Sequence, residues 1–121
     1  MTGGNLGILG IARAVRSGEA SALEMVRAAL ERIDARDAEL NAFTAVSRER
    51  ALSEANAVDA ARAAGDALGP LAGVPYAVKN LFDIAGMATL AGSKINAGRA
   101  PAAVDATVVR RLRDAGAVLV G

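Results

Sequence analysis

Gly73-Val74-Pro75-Tyr76-Ala77-Val78-Lys79-Asn80-Leu81-Phe82-Asp83 reads as a strand over Pro75–Leu81 that runs into a loop, with one lysine set among apolar and small neighbours. In front of it Gly65, Gly69, Pro70 and Gly73 are the main punctuation of the chain, where its character changes from helical to β with loops. Behind it Ala117-Val118-Leu119-Val120 reads as a second, fully apolar strand. Between the two, the pattern predicts a helix over residues 106–115, with Asp105 as N-cap and Gly116 just past its end. The result is a β-loop-α-β unit over residues 69–121, which gives a parallel or mixed sheet covered by helices, with ligand sites at the carboxyl ends of the strands.

Residues 1–68 are mainly helical, so the fold class is α/β, with an α+β character at the N-terminal end. A first short helix reaches about Ser17 and stops at Gly18. Ser21 and Glu24 have the spacing of a capping box, and Leu23, Val26, Leu30, Ile33 and Leu40 line one apolar face of the helix that follows. Asn41–Val46 is β-prone and predicts a short strand, and Ser47 can cap a third helix to about Ala64, made almost wholly of alanine and charge. The apolar face of the second helix and the strand ending at Val120 are expected to leave apolar surface exposed.

The 121 residues fit one domain, and the 53% apolar content is inflated by alanine, with Phe43, Tyr76 and Phe82 the only aromatics. Fourteen basic and thirteen acidic residues alternate along the helices and sum to +1, which leaves no electrostatic footprint for nucleic acid or an anionic membrane. There is no Cys, hence no disulfide framework and no Cys zinc site, in keeping with a cytoplasmic protein. Met1–Gly10 lacks a basic n-region and is broken by Gly7 and Gly10, so it reads as neither signal peptide nor membrane span, and Thr2 excludes N-myristoylation.

With neither His nor Cys, the commonest general bases, nucleophiles and transition-metal ligands are missing, and Lys79 becomes the first residue to suspect of chemistry. Its apolar surroundings predict an ammonium drawn away from water. A lysine ordinarily titrates at about 10.4, and burial can lower that by several units, enough for the amine to take a proton from a serine hydroxyl. The alternative is a lysine that snorkels or guards a strand edge. Of the serines, Ser17, Ser21, Ser47 and Ser53 read as caps or exposed helix positions, and Ser93 sits in a loop without a Ser-x-x-Lys or Gly-x-Ser-x-Gly pattern. Gly86–Lys94 resembles a phosphate loop only superficially: Ser precedes Lys, and the following Ile95–Gly98 breaks any helix, so turn formation is its expected role. Asp83 reads as a turn residue, Arg110, Arg111 and Arg113 as a solvated face, and isolated carboxylates predict no metal site.

The ordered series from Gly69 to Gly86, then Thr89 and Ala91-Gly92-Ser93, then Asp105 to Gly121 resembles the amidase signature family, and Leu40–Phe43 is similar to that family's N-terminal helical region. The resemblance implies a serine amide hydrolase with a Ser-cisSer-Lys triad on a mixed sheet wrapped by helices, acting on a small-molecule amide without a cofactor. Lys79 falls on the catalytic lysine. Asn80 stands where most members have Asp, and Val78–Asp83 looks like the branch acting on biuret-type carboxylated ureas. The segment carrying both serines is expected beyond Gly121, which makes residues 1–121 an N-terminal fragment that is inactive alone, in a protein that could be a homo-oligomer or have a partner chain. The catalytic subunit of a glutamine-dependent tRNA amidotransferase is the alternative within the family, and a non-catalytic α/β interaction module the alternative outside it.

Overall fold

The computed structural model describes residues 6–121, and the reading of the first five residues as neither leader nor lipidation site lies outside the described residues. Three helices come first: α1 (Ile8–Ser17), α2 (Ala22–Leu40) and α3 (Arg48–Ala63). They are followed by β1 (Pro75–Tyr76), a 3-10 turn over Lys94–Gly98, α4 (Thr107–Asp114) and β2 (Val118–Leu119). α1 ends on Gly18, whose φ of 83° lets its N–H reach Val15 O, a left-handed geometry that glycine adopts without strain. α2 opens on the expected capping box, with Glu24 N–H donating to Ser21 Oγ and Ser21 N–H to Glu24 Oε2.

β1 and β2 pair in parallel, Pro75 beside Val118 and Tyr76 beside Leu119. Strand alternation divides the core between the two faces of this pair. Val118 and Val120 join Val15, Val26 and Leu30 under α2 and α3, while Leu119 joins Ile84 and Val109 of the α4 side, with Tyr76 and Val78 packed against them. Ala22, Ala51 and Ala55 are wholly buried, so the alanine richness of α3 serves close approach to α2. Gly116 carries a φ of 95° and lies so close to Ala72 that a Cβ there would meet the Ala72 backbone. Glycine is required at this approach on both counts.

Several expectations are corrected. The strand foreseen over Pro75–Leu81 is two residues long, because the carbonyl of Lys79 accepts from Leu81 N–H at 2.8 Å and Phe82 N–H at 3.2 Å, which turns the chain out of the sheet. The second strand is likewise Val118–Leu119, although Val120 N–H still donates to Tyr76 O. Asn41–Val46 is no strand: Asn41 takes a left-handed φ of 50°, and the Asp37 carboxylate accepts from Ala42 and Phe43 N–H, which diverts those donors from any ladder. Asp105 does not cap α4, whose N-cap is Ala106. Residues 94–98, read as unable to continue a helix, form a 3-10 turn that the Ser93 hydroxyl caps by accepting from Ile95 N–H. Val118, Leu119 and Val120 are buried, and so are Val26 and Leu30 of α2, whereas Leu40 at the end of that face is exposed, as are Leu81, Phe82, Ile95, Val104 and Val108.

Candidate functional site

Lys79 stands in the turn that follows β1, at the carboxyl end of the strand. Alternation explains its direction: Tyr76 and Val78 turn into the α4-side core, while Ala77 and Lys79 are exposed. The ammonium expected to be withdrawn from water is therefore solvent-facing in this chain, and the apolar neighbours that suggested burial point the other way. It pairs with no carboxylate among the described residues. It lines a cavity of about 580 Å³, whose walls come from Phe43 and Thr44 after α2, from Lys79 and Asn80, and from Ala91 and Gly92. Gly121 closes one side, its carbonyl accepting from Val78 N–H at 3.0 Å.

Asn80 joins these walls. Its Nδ2 donates to Thr44 Oγ1 at 2.8 Å, its Oδ1 accepts from Leu90 N–H at 3.0 Å, and its backbone carbonyl accepts from Ala91 N–H at 2.7 Å. Sequence reasoning noted Asn80 only for its identity; nothing local in the sequence announces partners 36 residues before it and 10 after it. Asp83 holds the same loop, accepting from the Thr89 hydroxyl at 2.5 Å through its side chain and from Ala106 N–H through its carbonyl.

Behind the loop lies a polar cluster that the sequence did not disclose. Arg50 of α3 makes a two-pronged contact with Asp105, at 2.7 and 2.9 Å, and a third bond to Glu54 at 3.0 Å. Asp105 also accepts from Ala85 N–H, which fixes the far end of the Lys79 loop against α3, and Arg113 approaches it at 3.7 Å. The hydrogen-bonded Arg50 guanidinium holds the Asp105 carboxyl below its ordinary value and is itself raised, chiefly by Asp105. Burial, with the Glu54 carboxylate behind it, pushes the Tyr76 hydroxyl up to about 12. Tyr76 Oη and Glu54 Oε2 are buried without a hydrogen-bond partner.

The serines all have structural contacts or positions. Ser21 caps α2, Ser93 caps the 3-10 turn, Ser17 Oγ donates to Ala14 O, Ser47 Oγ donates to Leu119 O at 2.8 Å, and Ser53 is exposed on α3. Arg110 and Arg111 are solvated as expected, whereas Arg113 leans on the Asp105 cluster. Among the described residues no three acidic side chains converge as a metal site would require, and no helix is long and apolar enough to cross a membrane.

Comparison with known proteins bears on this arrangement directly. The family model described as Amidase matches residues 24–121. The chain is 55% identical over 111 residues to AtzE, the 1-carboxybiuret hydrolase subunit of Pseudomonas sp. strain ADP, covering 92% of this chain and 24% of that protein. It is 53% identical over 111 residues to a glutamyl-tRNA(Gln) amidotransferase subunit of Salinispora arenicola, covering 92% of this chain and 22% of that one. Among solved structures, an s-triazine catabolic enzyme described with a vestigial protein complex superposes with a TM-score of 0.94 at 52% identity, over 96% of this chain and 25% of that one. The peptide amidase of Stenotrophomonas maltophilia superposes with a TM-score of 0.87 at 38% identity, over 97% of this chain and 24% of that one. The chain thus spans about a quarter of the length of the relatives it matches.

Proposed function

The chain belongs to the amidase signature family, and from that premise we propose that it supplies the lysine-bearing part of a serine amide hydrolase in which Lys79 is the general base. The observation that carries this reading is the place of Lys79: at the carboxyl end of β1, facing a cavity built of loop backbone, with its flanking pattern inside the matched region. The two serines of the relay would come from outside residues 1–121. Completing the site with them would also remove Lys79 from the water it meets in this chain, which favours the neutral amine that a base needs.

In the proposed reaction the neutral Lys79 amine takes the proton of a bridging serine, which takes that of the nucleophilic serine. The freed alkoxide oxygen attacks the amide carbonyl carbon, and backbone N–H groups hold the oxyanion. The C–N bond breaks as the proton returns through the bridge to the leaving nitrogen. Water then attacks the acyl-enzyme by the same relay, releasing the carboxylic acid and restoring the serine. Every proton removed is returned, and no cofactor enters the balance.

The proposed substrate is a small amide or urea-derived compound, and the proposed setting is the cytoplasm. The relative named as a 1-carboxybiuret hydrolase subunit supports the urea-type substrate, and both named relatives are subunits, which supports a partner chain. The test is a hybrid in which the 111 matching residues of this chain replace the corresponding quarter of the Pseudomonas hydrolase subunit, produced together with the rest of its complex. Hydrolysis of 1-carboxybiuret by the folded hybrid is expected; a folded hybrid without activity on it or on simple amides overturns the reading. The 53% identity to an amidotransferase chain favours a second reading, in which the same lysine serves glutamine-dependent amidation of a tRNA-bound substrate. Joining these residues to the matching remainder of the Salinispora protein and assaying glutaminase activity separates the two.

A further inference from the structure

We propose that the chain binds small apolar carboxylates, of the alkanoate class, in a second cavity that lies between α2 and β1, with Arg32 and Arg36 taking the carboxylate. The inference is independent of the reading of Lys79 as a base and adds a ligand site to the chain.

The cavity measures about 360 Å³, within the range of small-molecule sites. One wall is α2, which presents Arg32, Ile33, Arg36 and Leu40 at spacings of three and four residues, those of a single helix face. The other wall is Pro75 of β1 and Ala77 just after it, with Phe43 alongside. Phe43 and Ala77 also line the Lys79 cavity, so the two hollows share a wall. Leu40 is 62% exposed, and Ile33, Phe43 and Pro75 are half-buried. These walls present apolar surface to water, and an alkyl chain lying on them would bury it.

The rim supplies the charge. Arg32 and Arg36 are exposed and form no ion pair among the described residues. Asp37 is the one carboxylate in the lining, and its Oδ1 already accepts from Ala42 and Phe43 N–H. At i and i+4 the two arginines stand with Cβ atoms about 6 Å apart, close enough for both guanidiniums to meet the two oxygens of one carboxylate. Apolar walls and a paired cationic rim together select an anion with an alkyl body. A short polar anion would leave the walls wet, and a cationic chain would be repelled by the arginines. A hollow of this size takes a small molecule, whereas a stable protein partner needs a far wider contact, about 800 Å² on each side.

The test is titration of octanoate into the 121-residue chain, followed by NMR through the amide signals of Phe43 and Ala77 and the arginine Nε–H signals. Saturable shifts at these positions, with a Kd below about 10 mM, are expected. The double variant Arg32→Gln with Arg36→Gln is expected to weaken binding about tenfold at an unchanged melting temperature, the effect of losing charge-assisted hydrogen bonds at an exposed rim. Acetate, which lacks the chain, and octyltrimethylammonium, which carries the opposite charge, are each expected to bind about tenfold more weakly or worse. Octanoate affinity no better than that of either control, or a double variant that keeps the parent's Kd, overturns the proposal. So does a Lys79→Gln variant that weakens binding while the arginine variant does not, since the carboxylate would then lie in the Lys79 cavity. Saturation by an acidic amphipathic peptide with none by octanoate would assign the surface to a protein partner and overturn it as well.

Discussion

Asp105 is a residue whose contacts lie far from it along the chain. Read locally, an Asp just ahead of a helix is a cap; in the structure its carboxylate faces Arg50, 55 residues earlier, and the Ala85 N–H. No short-range pattern carries that pairing, which is why it was illegible in the sequence. Because the folded carboxyl sits below its ordinary value, its contribution to stability is present above about pH 4 and is lost as the pH falls further, through the lowered folded value. Asp105→Asn should cost about 2 to 3 kcal/mol at pH 7 by urea unfolding, since it leaves a partly buried arginine without its main partner, and the gap between variant and parent should close in acid. Tyr76 makes the opposite case. Its hydroxyl is buried without a hydrogen-bond partner, so Tyr76→Phe should stabilise the chain by about 1 kcal/mol in the same assay. It should also abolish the loss of stability that the parent shows as pH rises from about 10, the ordinary tyrosine value, toward 12.

At the scale of elements, the helices were legible because their signals are local. Gly18 stops α1, Ser21 and Glu24 box the start of α2, and Ser47 stands at the N-cap of α3, although its hydroxyl does not cap the helix and donates instead to Leu119 O. What capping patterns could not show is the second clamp on α2: the Asp59 carboxylate, reaching across from α3, accepts from Ala22 N–H at 2.7 Å and Leu23 N–H at 3.1 Å. Two free N–H donors at a positive helix end share one carboxylate, so Asp59→Ala should cost about 1 to 2 kcal/mol and lower the melting temperature. Thermal unfolding followed by circular dichroism checks this, and an unchanged midpoint would mean the clamp contributes nothing. The strands were overestimated for a physical reason. A run of β-prone residues marks where a strand can form, but its length is set by pairing, and the turn through Lys79, Leu81 and Phe82 ends the ladder early.

For the molecule as a whole, the order of elements and the family were legible from the run between Gly69 and Gly121, while the setting of Lys79 was not. Its apolar neighbours implied burial, but alternation directs Tyr76 and Val78 to the core and leaves Lys79 facing solvent in a cavity. Leu81, Phe82, Ile95, Val104 and Val108, which follow Lys79 along the chain, are exposed. The measurement that tests the role of Lys79 most directly is the steady-state kinetics of the hybrid hydrolase carrying Lys79→Ala beside its parent. If Lys79 is the base, kcat falls by about 10³-fold or more while KM and the melting temperature stay close to the parent's. A folded Lys79→Ala hybrid that keeps the parent's kcat contradicts the account.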